Sequence, residues 1–262
     1  MRSLAELPRG RLGAGAHETS ARGATKTDTP PAAARVRCPS LTVFTSEPMT
    51  IPVPTPRRFE ELVNAVTHGV GVVGSLAGGA VLITLAALWG DAWHVTGASV
   101  FAGSLVLLYT ASTLYHAVPF ERAKRRLKTF DHCAIYVLIA GTYTPFTLVG
   151  LRGPWGWSLL VTIWVLAAVG IVFKLFFTGR FTVVSTLMYV AMGWLVVVAA
   201  GPLVEALPAA TLWWLVAGGL AYTAGTAFYL SRRVPYAHAV WHLFVLAGSV
   251  CHFAAVVTQL VG

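Results

Sequence analysis

The chain has 262 residues, of which 56% are hydrophobic and only 11% charged, and its mean hydropathy is +0.70. Soluble globular domains carry about 25% charged residues, so this composition excludes a soluble fold and points to an integral membrane protein. The net charge of +9 is placed by membrane topology, as shown below, and calls for no nucleic-acid partner.

Residues 1–58 are rich in Ala, Arg, Pro, Thr and Ser and show no hydrophobic period. They hold too little apolar surface to offset the entropy of ordering, so a disordered tail and linker are expected there. No apolar signal-peptide core interrupts them. Translation from Met1 or from Met49 fits the pattern equally well. The membrane domain is expected over 59–262. Cys38, Cys133 and Cys251 form no CxxC spacing and are expected to be free thiols.

A short amphipathic entry carrying Glu60 and Glu61 leads into seven apolar stretches, at 66–89, 94–118, 131–150, 155–177, 181–203, 210–231 and 237–261. Each has the roughly twenty residues a helix needs to cross hydrocarbon. Sheets are excluded, because an open edge in lipid leaves backbone groups unpaired. The expected fold is therefore all-α, a seven-transmembrane-helix bundle with short antiparallel connections. Small residues spaced by four, Gly71, Ser75 and Gly79 on the first stretch and Ala221 with Gly225 on the sixth, suit close helix packing.

Lysine and arginine set the orientation. Eighteen of the nineteen fall in the tail, in the 119–130 connection, or beside Lys174, Arg180, Arg232 and Arg233, and only Arg152 falls on the opposite side. This places the N-terminus in the cytoplasm and the C-terminus outside, in a multi-pass protein of the cell membrane.

With that orientation the unusual polar residues share one depth. Ser112 and His116 end the second stretch, Asp131 opens the third, and His238 and His242 open the seventh; Glu61, Asn64 and His68 lie at the same level on the first. Ionisable groups within a span cost about 2.5–3.5 kcal/mol each near its centre. His238 and His242, four apart, stand on one helix face. His116, His238 and His242 are read as ligands of one metal ion, Zn2+, since three imidazoles leave the open fourth position of a catalytic site. Ser112, one turn before His116, is placed to support its ring. Asp131 is placed to hold or deprotonate a metal-bound water. His68, Asn64 and Glu61 are candidates for supporting the ligands from outside.

Structural roles stay open for each. Asp131 suits a helix N-cap, Ser112 a back-bond to its own helix, Glu60 and Glu61 the dipole of a first turn, and His252 with Ser249 plain packing. A haem site would need a second helix with a histidine pair, and the chain has none.

The stretches running from Glu60 and Glu61 through Asn64 and Thr67 to His68 and Gly69, from Ser112 to His116, from Phe130 and Asp131 through Gly141 to Pro145 and Phe146, and from His238 to His242 together resemble the hemolysin III family. That family is the bacterial branch of the progestin and adipoQ receptor group. The resemblance spans 59–262. It implies seven helices, a cytoplasmic N-terminus and zinc near the cytoplasmic face on His116, His238 and His242, with Ser112 and Asp131 at the zinc-bound water. The group is similar to alkaline ceramidases in these motifs, which implies lipid amide hydrolysis, with membrane lipids as partners and a part in lipid homeostasis. The family name implies haemolytic activity. The alternative is a non-enzymatic pore-former, or a sensor of lipid state, with a structural zinc.

Overall fold

The computed structural model describes residues 56–262; of the tail expected over 1–58, residues 1–55, with Cys38, lie outside the described residues, and 56–58 belong to the first helix. Helices account for nearly all of the described chain, and no strand occurs in it. They are α1 (Pro56–Trp89), α2 (Ala92–Ala117), α3 (Glu121–Pro145), α4 (Pro154–Phe177), α5 (Thr182–Gly193), α6 (Ala200–Ala206), α7 (Ala209–Leu230) and α8 (Ala237–Val261). A π turn (Phe146–Gly150) extends α3, and a 3-10 turn (Leu195–Ala199) joins α5 to α6.

Six segments are long and apolar enough to cross a membrane: Arg58–Trp89, Ala92–Ala117, Glu121–Gly150, Pro154–Phe177, Thr182–Ala206 and Ala237–Val261. The helix α7 has the length, about 33 Å at 1.5 Å per residue, and carries Trp213, Trp214, Tyr222 and Tyr229. The outer surface is apolar in a way no soluble protein tolerates: Val70, Val73, Leu166, Val172, Leu187 and Val250 all face outward. This is the surface of a multi-pass membrane protein.

The structure departs from the sequence reading at three places. The expected loop at 119–130 is helical from Glu121 onward, because Glu, Arg, Lys, Ala and Leu are good helix formers. Asp131 therefore lies ten residues inside α3 and caps nothing. The fifth stretch is broken at Trp194, where Tyr143 of α3 plugs the gap. Its hydroxyl donates to the carbonyls of Met192 and Gly193, at 2.7 and 2.9 Å, and accepts from the Val196 N–H at 2.9 Å. Without that partner the freed backbone groups would sit unpaired in lipid.

Small residues bring the helices together as their spacing suggests. A Cβ on Gly71 would lie 2.5 Å from the Tyr109 ring, so only glycine lets α1 approach α2 here. At one end of the bundle Asp91 caps α2, accepting from the Trp93 and His94 backbone N–H groups. It also pairs with Arg152, beyond the π turn. The Arg152 guanidinium, with His94 beside it, holds the Asp91 carboxyl well below the usual carboxylate range. The opposite end carries the polar cluster.

Candidate metal centre

Four helices deliver the cluster. His116 ends α2, His238 and His242 begin α8, Asp131 lies on α3, and Glu61, Asn64 and His68 follow one another at turn spacing on α1. The start of α8 is fixed by Tyr236, whose φ of 54° turns the chain in the left-handed region. Its ring packs edge-on against Phe59 of α1, with centroids 6.0 Å apart.

His116, His238 and His242 converge. One nitrogen from each lies within 4.8 Å of the others, and ring centroids are 4.7 to 5.1 Å apart. Tetrahedral zinc with nitrogens at 2.0–2.1 Å needs them about 3.3 Å apart, so binding would draw the rings closer together. On two of the rings the Nδ1 is already engaged. His116 Nδ1 meets Glu61 Oε2 at 2.9 Å, and His242 Nδ1 donates to the Asn64 carbonyl at 3.3 Å. His116 Nε2 is buried with no hydrogen-bond partner. Buried polar atoms are rarely left so, and an imidazole tethered through one nitrogen with the other free is the arrangement of a metal ligand. The donor set and the orphaned atom fit a zinc ion.

The helix α1 supports two of the three rings, those of His116 and His242. Glu61 is not a first-turn residue, because α1 begins at Pro56. Its carboxylate instead bridges His116 and Lys124 Nζ, the latter at 2.8 Å. The Asn64 backbone holds His242, and His68 stacks on His242 at 3.5 Å between centroids, with planes 11° apart. Both His68 nitrogens are buried without a partner. Ser112 does not support His116: Glu61 has that role, and no hydrogen bond to the Ser112 hydroxyl occurs among the described residues. His132, beside Asp131, is no ligand. Its Nδ1 donates to the Lys128 carbonyl at 2.7 Å, and its Nε2 lies 3.3 Å from the Tyr229 hydroxyl.

A cavity of about 340 Å³ opens from this cluster. Ser112, Asp131, His68, His238 and His242 line its head, and its body runs between α3, α5, α7 and α8 to Leu151 and Leu203 near the other end. The wall there is mostly Leu, Val, Ile and Phe. Val197, Val204 and Val216 line the cavity and are also exposed on the outer surface, so it communicates with the bilayer between the broken helix and α7. Lys124 is the site residue that spacing alone does not reveal; it stands 63 positions from Glu61, in a run of basic residues that reads only as a topology signal. Cys133 and Cys251 are free.

Residues 57–253 match the model of the haemolysin-III related family. The chain is 48% identical over 197 residues to the hemolysin-3 homolog of Bacillus subtilis, covering 75% of this chain and 92% of the relative. Hemolysin-3 of Bacillus cereus is also 48% identical over 197 residues, covering 75% and 90%. The human monocyte to macrophage differentiation factor is 30% identical over 211 residues, covering 77% and 84%. With the match running from the first described helix deep into α8, and so through every residue of the cluster, the chain belongs to the haemolysin-III related family.

Proposed function

We propose that this protein is a zinc-dependent hydrolase of lipid amide bonds, working just beneath the cytoplasmic face of the membrane in a seven-span bundle whose N-terminus is cytoplasmic. The observation that carries the reading is one continuous space with a hydrocarbon-lined body, whose head is lined by His238 and His242 of the convergent triad together with Asp131 and Ser112. The charge count supports the orientation, and the length of α7 supports its counting as a span. A zinc ion on His116, His238 and His242 supplies Lewis acidity at the head of the cavity.

The chain's own residues do the rest. The apolar body seats the acyl chain, which enters from the bilayer past Val204 and Val216, and so carries the amide to the head. Asp131 takes a proton from the attacking water as its oxygen bonds to the carbonyl carbon, and passes that proton to the nitrogen as the C–N bond breaks. Fatty acid and free amine result. Ser112, buried and without a partner among the described residues, donates its hydroxyl hydrogen to the substrate carbonyl. The mostly apolar wall favours a hydrocarbon chain over the water column of a pore, which needs polar lining.

The test is zinc stoichiometry and ceramide hydrolysis by the purified protein. Wild type should hold one zinc and release fatty acid. His238→Ala and His242→Ala should lose the metal. Asp131→Asn should keep it and lose turnover by about a hundredfold or more. Bound zinc without turnover of any lipid amide in the wild type removes the enzyme and leaves a metal-binding membrane protein.

A further inference from the structure

Partway along the cavity the wall gains hydrogen-bonding groups. Tyr109 of α2 donates its hydroxyl hydrogen to Ser249 Oγ at 2.7 Å, and Ser249 Oγ lies 2.9 Å from the hydroxyl of Tyr222 on α7. Three hydroxyls carry three hydrogens, and two bonds use two of them. One hydrogen, on Tyr222 or on Ser249, has no acceptor within the trio. Beside it stands His252, its ring centroid 5.4 Å from that of Tyr222. His252 is 9% exposed, and its Nδ1 is buried with no hydrogen-bond partner. Tyr222 and His252 both line the cavity.

Two glycines seat these rings. A Cβ on Gly218 would meet the His252 ring at 2.6 Å, and one on Gly248 would meet the Tyr222 ring at 2.8 Å. The rings are thus pressed against neighbouring backbone and fixed in place. His252 follows His242 by ten positions on α8, about 15 Å along the axis and close to half the thickness of the hydrocarbon core.

We propose that Tyr222 and His252 form a second subsite, which takes the hydroxyl group of a lipid hydroxylated near the middle of its chain. A hydroxyl is donor and acceptor at once. With Ser249 donating to Tyr222, the one member of the trio that lines the cavity, the lipid hydroxyl accepts the Tyr222 hydrogen and donates to His252 Nδ1. A bare hydrocarbon chain satisfies neither. The neutral group also suits a site far from either membrane surface, where a charge is costly. The spacing from the three imidazoles sets where along the chain the hydroxyl falls. This inference rests on the reading of the cavity as a lipid site.

The test compares octadecanoic acid with octadecanoic acid hydroxylated near mid-chain, each titrated into the detergent-purified full chain and followed by thermal stabilisation. Wild type should bind the hydroxylated acid about three- to tenfold more tightly, the gain of one to two net hydrogen bonds. His252→Leu and, independently, Tyr222→Phe should bring the two acids to parity, while unchanged metal content reports an intact bundle. Equal binding of both acids by the wild type overturns the subsite and leaves the cavity; it would mean that water alone fills the gap. Binding of neither acid overturns the subsite together with the lipid reading of the cavity.

Discussion

Glu61→Gln is the substitution that most directly probes how α1 serves the metal centre. Glu61 is partly exposed, and its Oε2 touches His116 Nδ1 at 2.9 Å and Lys124 Nζ at 2.8 Å. Glutamine keeps the shape and one weaker acceptor. It removes the charge that makes the imidazole a better electron donor and that selects the tautomer with Nε2 free. Loss of such a support lowers metal affinity by about 10–100-fold, or about 1.4–2.8 kcal/mol. Partial exposure and the surviving amide oxygen put the expected loss near tenfold. Lys124→Met leaves the carboxylate on His116 and removes only a partly exposed ion pair, which contributes about 1 kcal/mol or less; affinity should fall by no more than about threefold. The assay is competition for zinc with a chromophoric chelator on purified protein, with His116→Ala as the variant that loses the ion. Wild-type affinity in Glu61→Gln, alongside loss in His116→Ala, refutes the supporting role of α1.

Gly71→Leu should destabilise the bundle by about 1–3 kcal/mol, read as a lower melting temperature in detergent, because Tyr109 is held by Ser249 and cannot yield. Tyr143→Phe should leave backbone groups at the break between α5 and α6 without a partner, at a cost of about 1–3 kcal/mol; amide exchange near residues 193–197 should speed up while the rest of the bundle is unchanged. Because the Asp91 carboxyl is held below its ordinary value of 3.8 in the folded chain, its contribution to stability is present above that value and fades as the pH falls through the lower folded value. Melting temperatures of wild type and Arg152→Ala should therefore differ at neutral pH and converge in strong acid; a gap that persists there would show that Asp91 is not its source.

Much of this was legible in the residues. The helical class followed from apolar length, and the three imidazoles from the four-residue spacing of His238 and His242 together with the shared depth of His116. Their neighbours were less so. Glu61 sits 55 positions from His116, and no periodicity ties a carboxylate to an imidazole on another helix; its place near a helix start gave it a simpler explanation. The helical character of 121–130 was hidden by charge, which marks a segment as lying outside hydrocarbon without saying whether it is coiled. The break at Trp194 was hidden for the opposite reason: Leu, Val and Ala fill it, and the Tyr143 hydroxyl that pairs its freed backbone groups arrives from another helix, α3.

The order of the helices has a consequence for biogenesis. The residues that brace His116 and His242 leave the ribosome first, on α1, while two of the three rings arrive last, on α8. A polypeptide released before residue 238 carries a single ring of the triad and lacks the convergent site. Metal binding by the purified chain, tested as above, would thus require α8 to have been made and inserted.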